Sequence, residues 1–276
     1  MLASSGEHIA SREDLGPVFA AARARLALIS VLFALAAIGW WWTVEQMRGM
    51  DNGPWTNLGA AGWFIGVWVV MMAAMMFPSV SPTVALYSRM TRGDSLVRPL
   101  LFAVGYLVTW TAVGAFALGV AFVGGRATGD VLVWDRAGRW VAATTLLAAA
   151  LYEVTPLKDA CLGKCRSPLG LLLGSWRDGA AGALAMGARN GAWCVGCCVA
   201  LMASFFALGI MSVVWMAVIA GLIAVEKTLP WRRVATLGTA AVLLALGVLV
   251  LAVPDALPGL TIPAGDMSSP MNQMSP

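Results

Sequence analysis

Three cysteines and one methionine lie close together in a stretch that carries no charge from residue 190 to residue 225. Cys194, Cys197 and Cys198 are spaced i, i+3 and i+4, so a helix places them on one face, and Met202 extends that face by one turn. Thiolate and thioether sulfurs are the ligands that soft Cu(I) prefers. Cysteine is also an ordinary small buried residue. The spacing therefore leaves open a soft-metal site and simple core packing.

A second group of sulfur atoms comes from four methionines within six residues. Helical spacing pairs Met71 with Met75 and Met72 with Met76, which gives two adjacent thioether stripes. Methionine is a common flexible filler of apolar cores, so packing is the ordinary explanation. Met72 and Met76 are the preferred ligands and Met71 and Met75 the weaker ones, although the sequence does not decide which stripe faces inward. Together with the cysteines they suit Cu(I) better than Zn(II), which favours thiolate and imidazole.

Two further cysteines form a C-x-x-x-C pair between predicted spans. Cys161 and Cys165 stand among Lys158, Lys164 and Arg166, which favour the thiolate form. In a reducing compartment they remain free thiols. The pair is compatible with a metal relay, a redox pair or no function.

Three methionines lie in the polar C-terminal tail. Met267, Met271 and Met274 have no core to fill there, and thioethers still bind copper in an oxidising compartment where thiols pair. We interpret the tail as a Cu(I) collection or transfer arm, with an incidental tail as the alternative. His8 is the only histidine and is expected to be an exposed bystander, so a polyhistidine metal site is excluded.

The composition indicates the elements that position these residues. Hydrophobic residues make up 60% of the chain and charged residues 12%, which is typical of a polytopic membrane protein. We predict an all-α transmembrane bundle at residues 25–254, a polar cytoplasmic segment at 1–24 and a flexible external tail at 255–276. About seven spans are predicted, at residues 26–43, 58–77, 100–123, 140–154, 180–208, 210–225 and 234–253.

The basic residues predict the orientation of the bundle. Thirteen lysines and arginines fall in the N-terminal segment and the alternate loops on its side, and four fall in the loops on the other side. The positive-inside rule then places the N-terminus in the cytoplasm and, with seven spans, the C-terminus outside. The expected location is a bacterial inner membrane. Glu153 and Glu226 end two spans near Lys158 and Lys227, and we expect both carboxylates to be paired and solvated in the headgroup region.

Several of these segments together resemble a bacterial family of predicted metal-binding integral membrane proteins, which includes a membrane copper chaperone needed for tyrosinase maturation. The resemblance covers about residues 63–230. It is carried by the methionine run 71–78 with Pro82 and Tyr87, by Tyr152, residues 155–158, 161–162 and 165–168, by Gly191, Cys194, residues 196–198 and 200–202, and by residues 215–216 and 226–227. It implies a metal-binding membrane protein and, less directly, copper delivery.

The function that we predict is Cu(I) binding within the membrane, as a copper chaperone or maturation factor for a client cuproenzyme. The alternatives are a permease for copper or another metal, a membrane thiol-disulfide oxidoreductase, and a structural assembly subunit. No nucleophile and base pair or phosphate-binding loop is present, so we expect no enzyme activity. A net charge of +4 gives no reason to expect a nucleic-acid partner. The oligomeric state stays open.

Overall fold

A computed structural model of the chain describes residues 15–47, 61–91, 96–128, 138–174, 176–208 and 212–252. These residues form helices and contain no strand, so the all-α prediction is confirmed for them. The helices are α1 (Leu15–Met47), α2 (Ala61–Met90), α3 (Val97–Thr128), α4 (Arg139–Glu153), α5 (Pro156–Cys165), α6 (Pro168–Leu173), α7 (Gly179–Leu208), α8 (Val213–Thr228) and α9 (Arg232–Ala252).

The number of membrane spans differs from the prediction. Among the described residues α1, α2, α3, α7 and α9 are long and apolar enough to cross a membrane. A sixth span results if α4 and α5, which are bent by 69° relative to each other, count as one broken span. The sixth predicted span corresponds to α8, whose 16 residues reach about 24 Å at 1.5 Å per residue, short of a core of about 30 Å. Seven spans are therefore not confirmed.

Helix α2 is longer than the sequence predicts. The predicted span ends at Phe77, yet the helix continues through Pro78 and Pro82 to Met90. Pro82 has no N–H to donate to the carbonyl of Pro78, and the hydroxyl of Ser81 donates to that oxygen instead, at 2.9 Å. The satisfied carbonyl allows the helix to continue, and it brings Ser79 into the core region.

Helices α5 and α6 occupy a segment that was predicted to be a loop. Thr155 caps α5 by accepting a hydrogen bond from the backbone N–H of Lys158, and Pro156 is the first helical residue. Pro168 is likewise the first residue of α6. Short helices are missed when the sequence is searched for long apolar runs. Because α5 forms, Cys161 and Cys165 lie one turn apart on the same helix.

Helix α7 lies at the centre of the bundle, in contact with α3, α4, α5 and α8. A Cβ on Gly187 would collide with the backbone carbonyl of Phe102, so the absence of a side chain lets α3 and α7 pack backbone to backbone. The rings of Trp68 on α2 and Phe206 on α7 stack at 5.4 Å. This packing holds the cysteines of α7 against residues of α3, α5 and α8.

Candidate metal centre

A cluster of three thiols joins two helices. The Sγ atoms of Cys165 on α5 and of Cys194 and Cys197 on α7 all lie within 4.8 Å of one another. Cys194 and Cys197 are almost fully buried, with 0% and 1% exposure, whereas Cys165 is half-buried. All five cysteines of the chain are free thiols. We call Cys165, Cys194 and Cys197 the thiol cluster.

Two more sulfur residues border the thiol cluster on α7. The Sγ atom of Cys198 is 3.5 Å from that of Cys197, and Met202 is buried one turn further along the helix. The predicted shared face of Cys194, Cys197 and Cys198 is therefore seen in the fold. Cys198 is a neighbour of the cluster, while Cys165, which the sequence ranked among the weaker candidates, is a member of it.

Cys161 lies one turn before Cys165 and points at a glycine of α7. A Cβ on Gly196 would come within 2.7 Å of the Cys161 Sγ atom, so the absence of a side chain makes room for this sulfur between α5 and α7. The hydroxyl of Tyr152 on α4 donates to the carbonyl of Gly196 at 2.6 Å. Gly196 thus accommodates Cys161 one turn before the cysteine that joins the other two thiols.

A lysine and a tyrosine contact the most buried thiol. The Nζ atom of Lys227 on α8 donates to the Sγ atom of Cys194 at 3.0 Å and to the hydroxyl of Ser79 at 3.2 Å. The hydroxyl of Tyr106 on α3 is 2.9 Å from the same Sγ atom. An ammonium group and a hydroxyl at these distances stabilise negative charge on sulfur.

The contact with Ser79 shows which side of α2 approaches the thiol cluster. Met72, Met75 and Met76 precede Ser79 by seven, four and three residues, so they share its side of the helix. All four methionines of the run, including Met71, are buried. The fold therefore groups Met75 with the preferred pair Met72 and Met76.

A small cavity adjoins the thiol cluster. Its volume is about 10 Å³, the space of about one water-sized particle, and residues of α2, α3, α5, α7 and α8 line it. Cys165, Lys227 and the buried amide of Asn190 are among the lining residues. The space is too small for an organic substrate and is of the size of a single ion.

The two glutamates are not placed as the sequence predicts. Glu153 and Glu226 are buried, with 2% and 1% exposure, so the expectation of solvated headgroup carboxylates is wrong. Both pair with Lys158, at 2.7 Å and 2.8 Å, and Lys158 itself has 0% exposure. The fold withdraws them from water because α4, α5 and α8 meet at this point. Lys227, the other lysine near them in sequence, turns away to Cys194.

Sequence reasoning missed three residues around the thiols, namely Ser79, Tyr106 and Lys227. The signal for Lys227 and Tyr106 was that each interrupts or ends a long apolar run, where a polar side chain needs a partner. Ser79 gave no signal of this kind. His8 and the tail residues Met267, Met271 and Met274 lie outside the described residues.

Most of the chain matches a known protein family. Residues 65–250 match the family described as PpoB2, copper chaperone. The chain belongs to this copper chaperone family. The matched segment contains all five cysteines and the four methionines of the run at residues 71–76, and the match confirms the resemblance found from the sequence. No curated protein and no solved structure matches the chain.

Proposed function

We propose that this protein is a membrane-embedded carrier that binds Cu(I) as its cargo through Cys165, Cys194 and Cys197 and delivers it to a client cuproenzyme. The observation that carries the proposal is the convergence of three free thiols from two helices within 4.8 Å. Membership of a copper chaperone family supports copper as the metal. In this function the chain has no catalytic residue.

The ligand chemistry favours Cu(I) over Zn(II). Cu(I) accepts two or three soft ligands, whereas structural zinc sites are almost always closed by four thiolate, imidazole or carboxylate ligands. The metal-ligating group found among the described residues consists of three cysteines without a histidine or carboxylate. Thioethers of Met72, Met76 and Met202, with Met71 and Met75 as further candidates, extend a Cu(I) site and contribute little to a zinc site.

Charge supports the same choice. Three thiolates with one Cu(I) carry a net charge of −2, which falls to −1 when one of the three cysteines binds as a thiol, and a buried negative charge is costly unless a cation is close. The ammonium group of Lys227, 3.0 Å from the Cys194 Sγ atom, supplies that cation. The half-buried Cys165 is the member of the cluster at which an incoming donor or client ligand exchanges first, because the other two thiols are inaccessible.

The location follows from the apolar helices. Five helices of sufficient length and apolarity, or six with the broken pair, support insertion in a bilayer. The excess of basic residues on one side supports a cytoplasmic N-terminus in a bacterial inner membrane. With an odd number of spans, such as five, the tail with Met267, Met271 and Met274 is external. Cys161 is proposed as a residue that supports the packing of α5, with a relay role as the alternative.

The test is the metal content of the purified full-length protein under reducing conditions. We expect bound Cu(I) in the wild type, loss of retention in the double variant Cys194→Ser, Cys197→Ser, and retention in the matched variant Cys161→Ser. Circular dichroism checks that each variant keeps its helices. Unchanged copper retention in the double variant, or zinc loading equal to copper loading, overturns the proposal. If the thiols undergo redox cycling, and if this activity is the same after Met72 and Met76 are replaced, the oxidoreductase is favoured instead.

A further inference from the structure

A second buried cluster consists of one cation between two carboxylates. The Nζ atom of Lys158 is 2.7 Å and 2.8 Å from the two carboxylate oxygens of Glu153, and 2.8 Å from Oε2 of Glu226. These residues come from α5, α4 and α8, and they meet at the 69° bend between α4 and α5. We call them the carboxylate cluster.

The neighbouring cations are engaged elsewhere. The guanidinium of Arg166, the residue after the last residue of α5, donates to the backbone carbonyls of Glu226 and Leu229, not to a carboxylate. Lys227 on α8 donates to Ser79 and Cys194. Among the described residues, Lys158 is therefore the cation that pairs with the two carboxylates.

The other polar groups near the cluster do not add a cation either. Arg232 of α9 pairs with Asp159 of α5 at 2.9 Å on the exposed side of the helix. Tyr152, which precedes Glu153 on α4, donates its hydroxyl to Gly196 of α7. With both carboxyl groups ionised, the cluster would carry a buried net charge of −1.

A buried uncompensated charge is costly, and two carboxylates that share one site resist ionising together. Two oxygens of the cluster also lack a hydrogen-bond partner. Oε2 of Glu153 and Oε1 of Glu226 are buried, and neither has a hydrogen-bond partner within the described part of the chain. A proton on the carboxyl pair neutralises the net charge, and burial of a neutral cluster costs far less.

We propose that Glu153 and Glu226 together hold one exchangeable proton, so that the carboxylate cluster is a proton-binding site inside the helical bundle. The site is distinct from the thiol cluster, because its ligating atoms are oxygens around Lys158. The proton compensates for the second carboxylate, just as Lys158 compensates for the first.

The position of this site suggests an effect of the proton on copper binding, an inference that rests on the proposed function. Glu226 and Lys227 are consecutive on α8, and Arg166, which follows Cys165 at the end of α5, donates to the backbone carbonyl of Glu226. The carboxylate cluster and the surroundings of the thiol cluster are therefore joined through α5 and α8. If gain of a proton moves either helix, it changes the affinity for copper, and by reciprocity copper then changes the affinity for the proton.

The test uses infrared spectroscopy of the copper-free, full-length protein at neutral pH. The wild type is expected to show the carbonyl band of a protonated carboxylic acid, shifted by transfer to heavy water and lost on raising the pH. The band is expected to disappear in Glu226→Gln and equally in Glu153→Gln, because removal of either carboxylate leaves a neutral ion pair. The matched variant Asp159→Asn, at an exposed ion pair, is expected to keep it.

Two results would overturn the proposal. One is a folded wild type without this band, and the other is a band of unchanged intensity in both glutamine variants. If the variants fail to fold, labelling the wild type with carboxyl-¹³C glutamate decides the question, since a band that does not shift does not come from a glutamate. The measurement needs no metal, so failure of copper binding would remove the proposed function and leave this result standing.

Discussion

Helices α5 and α8 contribute to two buried clusters of opposite chemistry. The thiol cluster combines soft sulfur atoms with the ammonium group of Lys227, whereas the carboxylate cluster surrounds Lys158 with hard oxygen atoms. The two sets of ligands are kept apart although neighbouring residues of the same helices contribute to both. Hard divalent ions favour carboxylate oxygens and soft Cu(I) favours sulfur, so a thiol cluster without a carboxylate suits the Cu(I) binding that we propose.

The largest effect is expected from a substitution of Lys158, the cation of the carboxylate cluster. Replacement by methionine removes the cation from two buried carboxylates, and breaking a buried ion pair costs about 3–5 kcal/mol. We expect a large loss of the free energy of unfolding, measured by thermal or denaturant unfolding in detergent. The control Arg232→Met removes the exposed pair with Asp159, for which a loss of about 0–1 kcal/mol is expected. Equal losses in the two variants would contradict the role of burial.

The corresponding substitution beside the thiol cluster is Lys227→Met. It removes the ammonium group from Cys194 and keeps the thiols. We expect a loss of Cu(I) affinity of roughly 10–100-fold, which is typical when a residue that contacts a metal ligand is replaced. A competition titration with a Cu(I) chelator measures it. Lys164→Met changes an exposed lysine of α5 and is expected to leave the affinity unchanged. An unaltered affinity in Lys227→Met would show that Cys194 needs no cation.

The separation of α5 from α7 is tested at Gly196. In Gly196→Ala the new Cβ lies 2.7 Å from the Cys161 Sγ atom, so this sulfur has to give way, and the part of the clash that its rotation does not relieve moves α5 and with it Cys165. Overpacking of this kind costs roughly 1–3 kcal/mol, and copper affinity should fall with the stability. Both are expected to recover in the double variant Gly196→Ala, Cys161→Ala, as measured by unfolding and chelator competition. Failure of the second change to restore either property would exclude a steric clash as the cause.

The smallest effect is expected from the tail. Removal of the chain after Pro263 takes away Met267, Met271 and Met274 and leaves both clusters intact. We expect copper exchange with an external donor to slow while equilibrium binding stays the same, because a tail contributes reach and encounter rate. Stopped-flow exchange measures the rate, and a C-terminal reporter tests the external position. Identical exchange rates would make these methionines incidental.

The helical class could be predicted from the sequence, and so could the residue types that we propose as metal ligands. Long apolar runs can satisfy their backbone groups in a membrane only as helices, and the spacing of Cys194, Cys197 and Cys198 requires a common face on α7. The family resemblance also followed from local motifs and is confirmed by the family match over residues 65–250. All of these are properties of neighbouring residues in the chain.

The contacts between residues of different helices could not be predicted from the sequence and are seen only in the tertiary structure. Cys165 joins Cys194 and Cys197 because α5 forms, bends away from α4 and packs on Gly196, and no local pattern specifies such a contact across helices. The two lysines show the same limit. Lys158 and Lys227 look alike in sequence, each near a glutamate at the end of an apolar run, yet one lies between carboxylates and the other contacts a thiol. The partner of a buried charge depends on which helices pack around it, and that packing is a property of the whole bundle.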